Sequence, residues 1–303
     1  YRVAPSTVEA AYELLISDGL LTVAPDDAIT VAILDPERRR DLVERLQLEK
    51  LVAAELGRRE LEMARDVQRR LLPPSELEGE GWQVAGRCLP ARVVAGDFFD
   101  VLRRPDGSVD VVVADVAGKG FAASLIMASV KAMLPFVTAE GSVAEAMAHL
   151  NRRLALEVGP REFVALVLAR YRPSERLVEL ANAGAPDPYL MLPDQAPRPL
   201  SVPGPRLPLG IRGEVAYASQ TFKLADYGRV LLLTDGLPEA READGEPLGY
   251  QALEAMLGEE SSTGSPSSWL AGLFDRLQRR TGRAPEDDWT AAMLVPRGAG
   301  EAM

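Results

Sequence analysis

Six aspartates at four places share one local design, an acid at the end of an apolar run with a turn beside it. They are Asp97 and Asp100 in "VVAGDFFDVL", Asp115 in "VVVADVAGKG", Asp235 in "LLLTDGLPE", and Asp287 with Asp288 in "PEDDWTAAML". An ionised carboxylate is costly to bury unless something positive meets it. Asp-Gly after a strand is by itself an ordinary turn. Four such places are more than that in a chain whose only cysteine is Cys88 and whose only histidine is His149. Convergent carboxylates repel unless a cation lies between them, and an oxygen-only shell selects Mg²⁺ or Mn²⁺ over Zn²⁺. The expectation is that divalent metal compensates these acids. His149 sits in "EAMAHLNRRL", which has helical periodicity, and reads as structural, so histidine-based catalysis and His-rich zinc sites are set aside.

The elements that would carry these acids alternate from about Gly81 onward. "GWQVAGRCLPA", "VVAGDFFDVLRR" and "VDVVVADVAG" read as strands, the last two joined by a hairpin around Pro105-Asp106-Gly107. Two consecutive helices follow, over 119–138 and 142–157. Strands return at "EFVALVLARY", "RLVELANAG", "VAYASQTFKL" and "RVLLLTDG"; a helix near 267–281 and a last strand, "DWTAAMLVP", close the chain. Meandering strands, two helices and more strands predict an α+β fold of antiparallel sheets covered by helices, not repeating βαβ units.

Upstream, residues 36–74 form a second region, dense in alternating charge. Leu42, Leu46, Ala53, Leu56, Met63 and Val67 fall on an approximate 4-3 seam, interrupted by Glu49 and Glu60. A helix here is about 50 Å long at 1.5 Å per residue and stops at "LLPP". It reads as a linker that dimerises as a coiled coil, the alternative being a solvated helix packed on its own domain. Residues 1–35 are a small third module: a helix over "PSTVEAAYELLISDGLL" with Ser6 or Thr7 as N-cap and Gly19 past its end, then an extended pair, "LLTV" and "AITVAIL".

Composition narrows the function. With 303 residues, 47% of them hydrophobic, the chain can bury one large core. A formal charge of −11 argues against a general nucleic-acid binder. A lone cysteine excludes an intrachain disulfide and suits a reducing, cytoplasmic compartment. No apolar run approaches the ~18 residues of a membrane span. A chain that begins at Tyr1 reads as a fragment of a longer product.

Two resemblances follow from these residues. "STVxxAYxxLxxDGLL" resembles the recognition helix and wing of a GntR-type winged-helix domain, which would imply DNA binding. Glu9 and Glu13 stand where basic residues are usual, which favours a remnant or a protein-binding module. The second covers residues 64 to about 296. "AGDFFD", "ADVAGKG", "LTDGLPE" and "DDWTAAML", with "ARDVQRRLLP", "ANAGAPDPYL" and "LPLG", resemble in order and spacing the metal-dependent PP2C serine/threonine phosphatases of the bacterial SpoIIE/RsbU branch. That resemblance implies an α-β-β-α sandwich for 75–303 and a site for two Mn²⁺ or Mg²⁺ ions. Asp115 would bridge the ions, the Val116 carbonyl would ligate one, Asp235 and Asp287 would hold the second, and Asp97 would act through metal-bound water or a further ion. Asp288 would support the ligands, and Asp100 would orient water or backbone. A metal-activated hydroxide would attack phosphorus directly, and Lys119 would attract the substrate phosphate. Three departures stand out: Ala95 replaces a glycine, and Lys119 and Ala185 each replace a histidine common in the family. None of the matched ligands is missing.

The resemblance further implies a substrate of the anti-sigma-factor-antagonist class, phosphorylated on serine or threonine. It also implies control through an N-terminal module and a linker, with Met63, Val67, Gln68 and Leu71 as reporting positions. Two other classes stay open: a DNA-binding regulator worked by residues 1–35, and a catalytically silent interaction module. A nucleotide-cleaving two-metal enzyme is disfavoured because no P-loop or basic channel is evident.

Overall fold

The computed structural model describes residues 13, 15–17, 20–23, 29–31, 36–225, 227–259 and 264–297. The expected caps at Ser6 or Thr7, the acidic Glu9 and Gly19 lie outside them. The chain separates into two compact units, Tyr1–Glu60 and Leu61–Met303, so the division falls inside the long helix, upstream of the boundary expected after residue 74.

In the first unit, β1 (Leu21–Val23) and β2 (Ile29–Val31) form the expected antiparallel pair, with Leu21 opposite Val31. Nothing in these residues confirms a winged helix. The helix α1 (Pro36–Leu71) ends at the expected stop before Pro73. Its charges are tied within the helix, as in the Arg58 and Arg59 guanidinium groups on Glu55. Its seam residues Leu46, Leu56, Met63 and Val67 are exposed.

The second unit is two antiparallel sheets between two pairs of helices. One sheet has the order β11-β8-β7-β6-β5, from β5 (Phe98–Arg103), β6 (Val109–Val116), β7 (Val164–Arg172), β8 (Leu177–Ala183) and β11 (Ser219–Lys223). The other has the order β10-β9-β12-β13-β4-β3, from β3 (Glu76–Gly79), β4 (Trp82–Leu89), β9 (Tyr189–Met191), β10 (Arg198–Pro199), β12 (Arg229–Leu233) and β13 (Trp289–Pro296). Strand side chains alternate between faces, and here both faces are buried, so the strands read as continuous apolar runs. Val109, Val111 and Val113 of β6 meet Val230 and Leu232 of β12 between the sheets. Val112, Ala114 and Val116 turn outward to α2 (Phe121–Val137) and α3 (Val143–Leu154). Leu231, Leu233 and Trp289 turn the other way, to α4 (Gly249–Gly258) and α5 (Pro266–Thr281).

The helix starts follow local chemistry. Ser142 and Glu145 form a reciprocal capping box at α3, and Ser265 caps α5 just before Pro266. In residues 75–297 the expected helices and strands are present, while the expected helix over 5–21 lies largely outside the described residues. The structure adds α4 and the short strands β3, β9 and β10.

Candidate metal centre

Side-chain parity sorts the acids. Asp97 and Asp100 are three positions apart and point to opposite sides of their sheet. Asp100 faces the helix layer, where Lys131 of α2 pairs with it at 2.5 Å. Its other oxygen accepts the Val101 amide at 2.9 Å. Lysine therefore compensates Asp100, where the grouping of the acids by itself had pointed to metal. Asp97 faces the space between the sheets, on the side shared by Val113 and Asp115.

Four strand ends meet there. Phe98 at the start of β5 lies opposite Ala114, next to Asp115 near the end of β6. Leu233 at the end of β12 lies opposite Ala291, two residues into β13. Thr234 continues the inward face of β12 and donates its hydroxyl to Asp97 Oδ2 at 2.7 Å, joining one sheet's acid to the other sheet's turn. The Thr290 amide in turn donates to Thr234 Oγ1 at 3.2 Å. Asp288 accepts the amides of Ala91 and Gly96 at 2.7 and 2.8 Å, so it clamps the loop that presents Asp97. Two glycines permit this closeness. A Cβ on Gly96 would stand 3.0 Å from the Val116 carbonyl oxygen, and one on Gly236 would collide with the Asp288 carbonyl.

The site's electrostatics are those of crowded anions. Asp97 is almost wholly buried, and its carboxyl hydrogen-bonds that of Asp115. Burial, then the Asp115 and Asp288 charges, hold Asp97 well above the usual carboxylate range. Burial also raises Asp115, with Asp287, Asp288 and Glu239 adding to it against the opposing hydrogen bond from Asp97. Burial, then Asp115, Glu239 and Asp287, pushes Asp235 up to about 6. Lys119 stands at the rim, 2.9 Å from Asp287 and donating to the Glu286 carbonyl at 3.0 Å. It bridges the second and fourth motifs. His149 is exposed on α3, away from these acids.

Among the described residues, no three Asp, Glu, His or Cys side chains converge closely enough to enclose an ion. Asp97 meets Asp115, and Asp287 meets Lys119. The acids nonetheless fit a hard divalent cation in chemistry. The donors are all oxygen, and three of the acids carry pKa values raised by burial and by neighbouring negative charge, which a cation between them would oppose. Sequence reasoning missed Thr234, Lys131 and Glu239. The threonine before Asp235 was visible, but its partner lies 137 residues away.

This electrostatic state has a measurable sign. A carboxyl whose folded pKa lies above its unfolded value holds more protons folded than unfolded. Asp235 therefore favours the folded metal-free protein increasingly as pH falls from about 7 toward 4, and the benefit is lost as pH rises through its folded value. Replacing it by Asn is expected to raise the melting temperature of EDTA-treated protein at neutral pH and to flatten its rise on acidification. Calorimetric melts from about pH 5 to 7.5 read this directly. An Asn variant with a lower melting temperature would contradict the crowding.

Residues 105–295 match the family model described as Stage II sporulation protein E (SpoIIE), more than half the chain. The chain belongs to the SpoIIE family. The matched span takes in Asp115, Asp235, Asp287 and Asp288, while Asp97 lies just upstream. Phosphoserine phosphatase RsbU of Bacillus subtilis is 26% identical over 237 residues, which cover 78% of this chain and 69% of that protein. The solved RsbU and RsbW domains of a Mycobacterium tuberculosis protein are 24% identical with a TM-score of 0.60, over 72% of this chain and 60% of that one. This SpoIIE-family chain thus spans less than two thirds of that longer protein. The PP2C domain of SiaA from Pseudomonas aeruginosa superposes with a TM-score of 0.68 at 19% identity, over 81% of this chain and 99% of that one. The two-sheet sandwich with helices outside is therefore the PP2C-domain fold.

Proposed function

We propose that this SpoIIE-family protein hydrolyses phosphoserine or phosphothreonine on a protein substrate at the acid cluster between its sheets. Its enzyme class is protein serine/threonine phosphatase. The observation that carries the reading is the meeting of four motifs from distant parts of the sequence, where burial and neighbouring charge raise Asp97, Asp115 and Asp235 and the charges of Asp287 and Asp288 add to that. Asp97, Asp115, Asp235 and Asp287, with the Val116 carbonyl, would hold two Mn²⁺ or Mg²⁺ ions. When bound, these cations supply activation of a water and charge neutralisation for the phosphoryl group. The chain's own residues do the positioning. Asp288 fixes the backbone from Ala91 to Gly96, Thr234 orients Asp97, and Lys119 steadies Asp287 at the rim. No cysteine or serine nucleophile is required. Phosphate release from a phosphoserine peptide, followed as Mn²⁺ is titrated and then removed with EDTA, tests this. Turnover that follows metal supports it, and turnover indifferent to metal refutes it.

The substrate we propose is a phosphorylated anti-sigma-factor antagonist or a similar signalling protein, in keeping with the similarity to phosphoserine phosphatase RsbU. We further propose homodimerisation through α1, supported by the exposed seam at Leu46, Leu56 and Met63. No described helix is long and apolar enough to cross a membrane. A cytoplasmic setting is proposed from the lone cysteine.

Control through the linker gains a specific contact. Of the four reporting positions, Met63, Val67 and Leu71 are exposed, whereas Gln68 is buried. Its amide grips Ala95 from both sides, accepting the Ala95 N–H at 3.0 Å and donating to the Ala95 carbonyl at 2.7 Å. Ala95 lies two residues before Asp97, so the last turns of α1 help to set that acid's backbone. Gln68→Ala strands two buried backbone groups, a cost of about 1–3 kcal/mol. Steady-state kinetics are expected to show kcat lower by about tenfold with KM nearly unchanged. Equal kcat in variant and parent would remove Gln68 from the control path.

A further inference from the structure

Resting on the phosphatase reading, we propose that Arg206 is the substrate-phosphate binding residue, holding the phosphate monoester of a polypeptide as it enters beside Asp235. A cleft of about 490 Å³ opens next to Asp235. Its lining includes Asp187, Arg206, Asp235, Glu239, Tyr250 and Glu254, and Arg206 is the only cation among the described lining residues. The charges feel one another across the cleft: the Tyr250 hydroxyl is raised first by burial and then by Asp235 and Glu239, while Arg206 opposes them. A cleft with four carboxylates repels a phosphate dianion, and one guanidinium inside it decides where such a group can rest.

The guanidinium is also held in place. Arg206 Nη2 donates to the Ala185 carbonyl at 2.7 Å, and Nη1 lies 3.0 Å from Asp187. The Ala185 turn is itself closed by Asn182, whose side chain accepts the Ala185 amide at 2.9 Å and donates to its carbonyl at 3.1 Å. Downstream, the Tyr217 hydroxyl donates to the Leu207 carbonyl at 2.8 Å, and Asn151 of α3 accepts the Gly210 amide at 3.0 Å. Arg206 therefore stands on a pinned segment with its planar fork oriented. An arginine fork binds two phosphate oxygens at once, which a lysine at the rim does not. This assigns the incoming phosphate to Arg206, and leaves Lys119 on Asp287.

Two variants separate charge from structure. Arg206→Gln keeps a donor for the Ala185 carbonyl and removes the charge, whereas Arg206→Lys keeps the charge. With Mn²⁺-loaded full chain and a phosphoserine peptide, Arg206→Gln is expected to raise KM about tenfold, with kcat within about threefold. The inhibition constant of inorganic phosphate should rise in parallel, and Arg206→Lys, which keeps the charge without the fork, should recover part of both. Wild-type values for Arg206→Gln overturn the proposal. So does Arg206→Lys as impaired as Arg206→Gln with both melting temperatures lowered, because that pattern marks a structural role. Parent protein that turns over normally beside unaffected variants sinks Arg206 alone. Parent protein with no metal-dependent turnover sinks the phosphatase reading itself.

Discussion

Asp115→Asn is expected to lower phosphoserine-peptide turnover by at least about a thousandfold, the scale on which a group acting directly on transition-state charge is felt, while leaving the protein folded. Asn has nearly the shape of Asp, so packing at the end of β6 is preserved. What it removes is a negative charge from a cluster that has too many. Asp115 adds to the raised pKa of both Asp97 and Asp235, so the variant relieves repulsion in the metal-free state. Activity and stability should therefore move in opposite directions, with turnover lost and the metal-free melting temperature equal or higher. Such opposition is the mark of an acid kept for function against the interests of the fold. Phosphate release and thermal melts on one preparation check both halves. A variant that is inactive and also unfolded would mean that Asp115 serves packing.

The second large effect lies away from the site. Arg170 of β7 and Asp110 of β6 are opposite one another in the ladder and almost wholly buried. The guanidinium meets both oxygens of Asp110, at 2.7 and 2.9 Å, and also donates to the carbonyls of Thr138 at 3.0 Å and Gly141 at 2.5 Å. Arg104 approaches Asp110 at 3.4 Å and donates to the Ala139 carbonyl at 3.0 Å. These contacts fasten the turn between α2 and α3 to the sheet. Asp110 is raised by burial despite the arginines, so the pair only partly offsets its desolvation. Arg170→Met leaves that acid buried without its main partner. We expect a loss of about 3–5 kcal/mol, read as a fall on the order of 10 °C in melting temperature. The double variant Asp110→Leu/Arg170→Met should recover much of the loss, since no charge is then left stranded. A double variant as unstable as the single would show that the carbonyl contacts carry the stability.

These particulars show what a sequence can and cannot reveal. The sandwich was legible because its strands are apolar on both faces, and its acids because they stand beside or within such runs, Asp100 inside β5 and Asp97, Asp287 and Asp288 just before their strands. The hairpin at Pro105-Asp106-Gly107 and the capping box at Ser142 are local chemistry, readable without a fold. The helix α4 was missed for a local reason too. It begins at Gly249 after Leu248, with no side-chain cap to announce it. The strands β3, β9 and β10 have 4, 3 and 2 residues, too short for alternation to declare itself. The contacts that organise the site were not legible for a different reason. Thr234 with Asp97, Gln68 with Ala95 and Lys131 with Asp100 join distant segments, and only the packing of sheet on sheet or helix on sheet brings them together. Parity separates Asp97 from Asp100 once the sheet faces are known.

Calorimetric titration of the EDTA-stripped protein with Mn²⁺ tests the central claim most directly, when run near pH 6.5 in two buffers of different ionisation enthalpy. Binding of two ions with net release of protons is expected, because Asp97, Asp115 and Asp235 have raised pKa values and lose protons when cations arrive. Asp235→Asn should weaken binding and reduce the protons released. Absence of Mn²⁺ binding, or binding whose heat is the same in both buffers, would contradict the acid cluster as a metal centre.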